Sequence, residues 1–294
     1  MAREYIARDP RTGERIGAKP KGARKGVGIA ALSPDSGPWQ RLESHEILPL
    51  ANGESGKIEI LADGKRWLLG RIDAIKALAK VPEKDAERAY DSLVDALEDD
   101  FPDVRIAALK TLPSFSLRRQ GILLHCLSDR LLDDEDSVRE EAMTCLKKVA
   151  PLFPSGCEEI LRRELRDSRK NHRGNAFEAL KLASREWPEV GCLHLDELIR
   201  EEEGDLRIRG SMILRTIASK GGAEAWDLIG WSLQDEEVRV RRNAAKTLTV
   251  LADVEPRVAV ILVESSIGED DRQIRGSVIC LLYTSDAADD VECV

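Results

Sequence analysis

The chain offers few residues of the types that carry acid–base or metal chemistry. Its histidines, whose side chains titrate nearest to neutral pH, lie at positions 45, 125, 172 and 194. Only His45-Glu46 joins an imidazole to a carboxylate, whereas a metal centre needs several converging ligands. His172 precedes Arg173 at a position that is apolar in similar segments, so we predict that it packs or caps a helix. We therefore expect no catalytic residues, no metal site and no cofactor.

The cysteines show no metal-binding or catalytic pattern either. They lie at positions 126, 145, 157, 192, 280 and 293, without a CxxC pair. Such spacing is typical of free thiols in a reducing cytoplasm. HExxH, P-loop, GxGxxG and GxSxG motifs are also missing from the sequence. The sequence therefore predicts a cytoplasmic protein that is not an enzyme.

Basic side chains are the remaining candidates, because they could bind phosphates or acidic proteins. Residues 1–28 hold eight Lys or Arg and three acids, a charge of +5 in a chain whose net charge is −9. We predict a disordered basic arm and linker over residues 1–45. It could be a solubilising tail, bind nucleic acid or the ribosome through phosphates, or dock on the chain's own acidic surface. Its candidate binding residues are Arg11, Arg15, Lys19, Lys21, Arg24 and Lys25.

A repeat of 34 residues fills most of the chain. One apolar column is Leu93, Leu127, Leu161, Leu195, Ile229 and Val263. A second, four residues later, is Leu97, Leu131, Leu165, Ile199, Leu233 and Ile267. An acidic column follows at Asp99, Asp133, Asp167, Glu201, Asp235 and Glu269. Apolar residues four apart share a helix face, so each unit has a helix that ends near the acid.

Arginines recur eight residues after the second apolar column. They are Arg71, Arg105, Arg139, Arg173, Arg241 and Arg275. Apolar residues three, four and seven positions later indicate a second helix in each unit. In the fifth unit we prefer Arg209 to Arg207, because Arg209 leads to Met212 and Ile213. The loop EEEGD (201–205) would then absorb two extra residues.

These columns resemble HEAT repeats, including those of phycobilin-lyase-like proteins, over about Arg71 to Ile279. Tetratricopeptide repeats share the period, but their helix pattern and any counterpart of the Arg column are missing. The resemblance implies an all-α, right-handed α-solenoid of about six to seven two-helix repeats over residues 46–279. It also implies that each Arg bonds acids or loop carbonyls of a neighbouring repeat. The acids, chiefly Asp99, Asp133, Asp167 and Asp235, would supply these partners or cap the second helix.

The two ends of the repeat region are less regular. Asp63-Gly64 between apolar stretches suggests a hairpin over residues 58–69, but the 34-residue period favours a divergent first helical repeat, which we prefer. The segment from Cys280 to Val294 resembles a translated sequencing-library adapter through Asp289. We therefore expect residues 280–294 to be foreign, and the natural protein to continue beyond Ile279.

The repeat pattern favours a protein-interaction scaffold over other functions. Its second helices carry cations that could meet an acidic partner: Lys110, Lys147, Lys181, Arg242 and Lys246. The Trp residues at 39, 67, 187, 226 and 231 could be core residues or exposed anchors. A nucleic-acid- or ribosome-associated protein that uses the basic arm is the first alternative. A lyase-like accessory protein for tetrapyrrole attachment is the second, although no residues for that chemistry are evident.

Overall fold

A computed structural model describes residues 42–62, 65–115, 119–264, 266 and 268–289. The chain divides into two compact units, residues 1–92 and 93–294. Residues 1–41 of the predicted basic arm and linker lie outside the described residues. None of the described helices has the length and hydrophobicity that crossing a lipid bilayer requires.

The first unit combines helices with a β-hairpin. Helix α1 is Ser44–Ala51, strands β1 and β2 are Ile58–Ala62 and Lys65–Leu69, and α2 is Arg71–Ala77. The strands pair antiparallel with Ile60 opposite Trp67, and α1 contacts α2. The preferred helical prediction for residues 58–69 is therefore wrong. These residues alternate along each strand between exposed and less exposed positions, which is the period of a strand and not of a helix.

Helix α1 also begins inside the predicted linker, so His45-Glu46 is helical. Helix α3, Ala86–Leu97, runs across the boundary between the units. The helices that follow are α4 Pro102–Thr111, α5 Gln120–Arg130, α6 Asp136–Val149, α7 Pro154–Glu164, α8 Lys170–Glu186, α9 Pro188–Leu198, α10 Gly204–Ser211, α11 Leu214–Ile217, α12 Gly222–Leu233, α13 Val238–Val254, α14 Pro256–Glu264 and α15 Arg272–Asp289.

The second unit is a solenoid of helix pairs in two layers. Helices α5, α7, α9 and α12 contact one another in sequence and are called the A helices. Helices α4, α6, α8, α10–α11, α13 and α15 form the other layer and are called the B helices. Proline at the first position, where its missing N–H costs nothing, starts α4, α7, α9 and α14. The Gly210-Ser211 pair ends α10, and the B helix resumes as α11.

The predicted apolar columns lie between the layers. Every residue of the first column is buried, from Leu93 to Val263. In the second column Leu97, Leu131, Leu165 and Leu233 are buried, and Ile199 is partly exposed. Ile267 lies outside the described residues. One helix pair cannot bury such a stripe alone, so stacking the pairs creates the core.

Candidate functional site

In the second unit, the arginine column closes the turn that precedes each B helix. Arg105 Nη1 donates to the carbonyl oxygens of Asp99 and Asp100, at 2.6 and 3.1 Å. Equivalent bonds to the residues five and six positions earlier are made by Arg139, Arg207, Arg241 and Arg275. Each guanidinium thus binds backbone carbonyls of the loop that precedes a B helix.

Three of these arginines, Arg105, Arg207 and Arg241, also reach the acid of the following repeat. Arg105 Nη2 donates to Asp133 Oδ1 at 2.8 Å, and both side chains are buried. Arg241 binds Glu269 with the same offset of 28 residues. Burial is the largest single effect and opposes ionisation of Asp133. The hydrogen bonds from Arg105 and the Glu135 N–H, together with the charges of Arg105 and Arg130, outweigh burial and lower the pKa of this carboxyl below its ordinary value. These bonds therefore join neighbouring repeats through largely dry ion pairs.

The acidic column also orders the start of the B helices. Asp133, Asp167 and Asp235 each accept a hydrogen bond from the backbone N–H two residues later, at 3.1, 2.7 and 2.7 Å. Asp99 makes the same bond to the N–H of Phe101 at 2.9 Å. The acids therefore fix the loop before the helix, and Asp133 and Asp235 serve the neighbouring arginine as well.

Arg207 makes the ladder contacts in the fifth unit, so the preference for Arg209 is wrong. Arg207 donates to the carbonyls of Glu201 and Glu202 and lies 3.0 Å from Asp235 Oδ2. Arg209 instead pairs with Asp205 in its own helix, at 3.2 Å. The loop keeps the 34-residue spacing. Gly210 then lies three residues after the column arginine, where other repeats have Ala108, Ala142 and Ala244. A Cβ added there would lie 3.1 Å from Leu198 Cβ.

Other members of the column depart from the common pattern. Arg139 pairs with Asp136 on its own helical turn. Arg173 reaches Asp205 Oδ2 at 3.0 Å, 32 residues later. In the first unit Arg71 Nε donates to the Ala51 carbonyl at 2.9 Å. The column is therefore a carbonyl clamp wherever it is described, but its partner acid varies.

The predicted cations of the B helices mostly contact the next repeat. Lys110 lies 3.5 Å from Glu141, Lys147 Nζ donates to Asn175 at 2.9 Å, and Arg242 binds Asp271 at 2.7 Å. Lys246 is exposed. The six candidates of the basic arm, Arg11 to Lys25, lie outside the described residues. The B-helix cations therefore contribute to stacking, which weakens the case for an acidic partner on that face.

A depression opens where helices α7 and α9 begin. Phe153, Trp187 and Leu193 line a volume of about 510 Å³. The Trp187 indole N–H donates to the Pro151 carbonyl at 2.9 Å, while 43% of the residue surface stays exposed. An aromatic ring is thus held in a fixed orientation while much of its surface stays exposed.

A second depression, of about 310 Å³, lies between α9 and α12 and shares Leu193 and Glu189 with the first. Leu193 is 42% exposed, and Trp231 on the far side is 53% exposed. The Arg200 guanidinium lies 5.2 Å from the centre of the Trp231 ring, within the range of a cation–π contact. We call the two depressions together the A-helix groove.

Acidic side chains line this apolar groove: Glu158, Glu189, Asp196, Glu224 and Asp227. Asp196 pairs with Arg200 at 2.7 Å. Among the described residues, the other four acids have no ion pair with a cation. Burial, and then the charges of Glu224 and Glu189, raise the pKa of the nearby Cys192 thiol to about 11. The groove is therefore electronegative, and its thiol is no nucleophile at neutral pH.

The sequence analysis did not identify this groove. The signal was present in part, because Trp187 and Trp231 were noted as possible anchors. Leu193 could not be recognised, since exposed leucines are common. Glu189, Glu224 and Asp227 stand outside the repeating columns, so spacing alone gave no reason to place them together.

Comparison with known proteins finds a family that matches part of the chain. Residues 58–147 match the protein family described as HEAT repeats. No curated protein matches the chain significantly in sequence.

Solved structures share the fold at low sequence identity. Kap121p superposes with a TM-score of 0.50 and 14% identity over 83% of this chain and 30% of that chain. Kap95, in its complex with Nup1, gives 0.50 and 12% over 79% and 34%. A HEAT-like repeats protein from the archaeon Thermococcus onnurineus NA1 gives 0.46 and 14% over 85% and 98%. The chain spans about a third of the first two proteins, and the likeness shows the fold alone.

Proposed function

Because the chain contains HEAT repeats and has the fold of a HEAT-repeat solenoid, we propose that it is a non-enzymatic scaffold that binds a protein partner. The A-helix groove is the surface that supports this proposal best. Among the described residues, it brings exposed aromatic and aliphatic side chains together with acids that form no ion pair with a cation. Known HEAT-type structures include complexes with proteins, such as Kap95 with Nup1, which is consistent with a protein ligand here.

The chemistry of the groove defines the partner. Trp187, Leu193 and Trp231 offer apolar anchor positions of the kind that dominate protein interfaces. The acids Glu189, Glu224 and Asp227 line the same groove and form no ion pair with a cation in the part of the chain that the structure describes. A segment with apolar side chains flanked by Lys or Arg would satisfy both, because it would bury the anchors and neutralise the rim. An acidic segment or a nucleic acid would be repelled by the same rim.

Peptide selection tests the proposal directly. A displayed peptide library is selected against the wild-type protein, and the binders are measured by fluorescence anisotropy. We expect enriched sequences that combine apolar residues with Lys or Arg. Leu193→Lys and the double change Glu224→Lys with Asp227→Lys should weaken them at least about tenfold, since each adds repulsion and the first also removes an anchor.

Met212→Lys is the matched control, because Met212 is 59% exposed and does not line the groove. It should leave peptide affinity unchanged. Acidic enriched peptides, or basic ones that bind the groove variants as tightly as wild type, would contradict the proposal.

The nucleic-acid alternative is supported by the charge of the basic arm alone. Filter binding of the full chain and of a chain lacking residues 1–28, across salt concentrations, tests it. If the arm contacts phosphates, its removal should flatten the salt dependence. An unchanged slope would reject this alternative.

A further inference from the structure

A cluster of three side chains joins helix α7 to helix α8. Glu164 is the last residue of α7, Asp167 lies in the turn, and His172 is in the first turn of α8. One ligand atom of each lies within 4.8 Å of the others. The turn thus brings two carboxylates and an imidazole to a common point inside the second unit.

Two atoms of this cluster are buried without a partner. Glu164 is 1% exposed, and its Oε2 has no hydrogen-bond partner among the described residues. The same holds for His172 Nδ1, which lies 3.8 Å from Glu164 Oε2. That separation is too long for a hydrogen bond. Burying an unpaired carboxylate oxygen is costly, so a group that contacts both atoms would stabilise the folded chain.

Comparison with the other repeats shows that the cluster is specific to this turn. The position of His172 holds Val104, Val138 and Val240 in other repeats. The position of Glu164 is Arg130 one repeat earlier, where Arg130 lies 3.3 Å from Asp133. At this turn Glu164 therefore stands where the preceding repeat has Arg130, the cation that pairs with Asp133.

Two arginines next to the cluster bind its carboxylates. Arg163 Nε donates to Glu164 Oε1 at 2.8 Å, and Arg169 donates to both oxygens of Asp167, at 2.9 and 2.6 Å. Arg139, whose counterparts bind the acid 28 residues later, pairs with Asp136 instead. Ligating carboxylates in metal sites are commonly oriented by such hydrogen bonds. Their positive charge also limits how tightly a cation would bind.

We propose that Glu164 Oε2, a carboxylate oxygen of Asp167 and His172 Nδ1 bind one divalent transition-metal ion, for which Zn²⁺ is the probe. One imidazole and two carboxylates form a donor set that Zn²⁺ accepts, with water as the fourth ligand. The ion would supply the cation that Arg130 supplies one repeat earlier. This site was not expected from the sequence, which assigned His172 to packing or capping.

Calorimetric titration and thermal unfolding test the site. The purified full chain is treated with a chelator, exchanged into buffer, and titrated with ZnCl₂. We expect one binding event and a rise in the unfolding temperature, because an ion that binds only the folded chain stabilises it. His172→Val and Glu164→Leu introduce the residues of neighbouring repeats, Val138 and Leu198, so both variants should fold. Each should weaken Zn²⁺ binding at least about tenfold.

Two controls separate this site from other ligands. His125→Ala removes an exposed histidine outside the cluster and should leave binding unchanged. Substituting Co²⁺ for Zn²⁺ should give weak visible bands without the strong ultraviolet band of a cobalt thiolate, which excludes the cysteines. Absence of a Zn²⁺ effect on wild type, or unchanged affinity in both cluster variants, would overturn the proposal. A stability change in the variants with unchanged Zn²⁺ affinity would also overturn it, and would identify the cluster as a buried histidine–carboxylate pair only.

Discussion

Arg105 Nη2 lies 2.8 Å from Asp133 Oδ1, and this pair links the turn of one repeat to the turn of the next. The two side chains are only 10% and 3% exposed, so water screens the pair little. Arg105 also holds the carbonyls of Asp99 and Asp100. A single guanidinium therefore closes one turn and fixes the position of its neighbour.

Asp133→Asn should destabilise the protein by about 2–3 kcal/mol, because it leaves the Arg105 cation buried without its counter-ion. The measurement is urea unfolding followed by circular dichroism. Asp136→Asn is the control: Asp136 pairs with Arg139 but is 90% exposed, and its loss should cost under about 0.5 kcal/mol. Equal costs for both variants would show that burial does not strengthen the Arg105–Asp133 pair.

Arg207→Ala and Arg209→Ala should lower the free energy of unfolding by different amounts, although the residues are two positions apart. Arg207 binds two carbonyls and Asp235, so its removal should cost about 2–3 kcal/mol. Arg209 makes a more exposed pair with Asp205, and its loss should cost under about 0.5 kcal/mol. The measurement is the urea concentration at the unfolding midpoint of each variant. A lower midpoint for Arg209→Ala than for Arg207→Ala would show that Arg209 is the residue that links the repeats.

His194 should make stability depend on pH. Burial lowers its pKa from 6.5 to about 4, and neither ring nitrogen has a hydrogen-bond partner among the described residues. Between pH 6.5 and 4 the unfolded chain gains a proton that the folded chain does not, so stability falls as pH falls, by up to about 3 kcal/mol. The charges of Glu197 and Glu159 act to raise this pKa, and those of Arg162 and Arg166 act to lower it.

His194→Leu should remove this dependence, since Leu228 holds the equivalent position one repeat later. Thermal unfolding at several pH values measures it. His125→Leu, at an exposed position, is the control and should keep the wild-type profile. The pKa values of Asp133 and Glu197 are also lowered, and these carboxylates change stability at lower pH, below their ordinary pKa values of 3.8 and 4.5. A wild-type profile in His194→Leu would show that this imidazole stays uncharged in both states or titrates equally in them.

Gly191→Ala should destabilise helix packing, although alanine favours helices. An added Cβ at Gly191 would lie 2.6 Å from both Ile217 Cγ2 and Ser184 Oγ, and such overpacking costs about 1–3 kcal/mol. Gly276→Ala is the matched change, because nothing lies within 4 Å of the new Cβ. It should stabilise by up to about 1 kcal/mol. Denaturant unfolding of both variants checks the opposite signs.

The periodic part of this fold was predictable because buried positions recur every 34 residues along the sequence. The column from Leu93 to Val263 is apolar in sequence and buried in the structure, since every repeat must hide the same stripe. The choice of Arg209 failed because the residues after it resemble an apolar stripe. Gly210 at the tightly packed position was the better indicator of register.

The parts that differ between repeats could not be predicted in the same way. The hairpin of residues 58–69 departs from the helical period, and its turn signal, Asp63-Gly64, was outweighed by its place in that period. Glu164 and His172 stand out only when their columns are compared with Arg130 and Val138. The A-helix groove depends on Leu193 and Glu224, which become neighbours only when α9 and α12 pack together.

Helix α9 gives Leu193 and Glu189 to both halves of the groove. A ligand that fills it would touch α7, α9 and α12, which belong to three successive repeats. Pulling these repeats apart would widen both halves together. We therefore expect tension along the stack to weaken the binding of such a ligand.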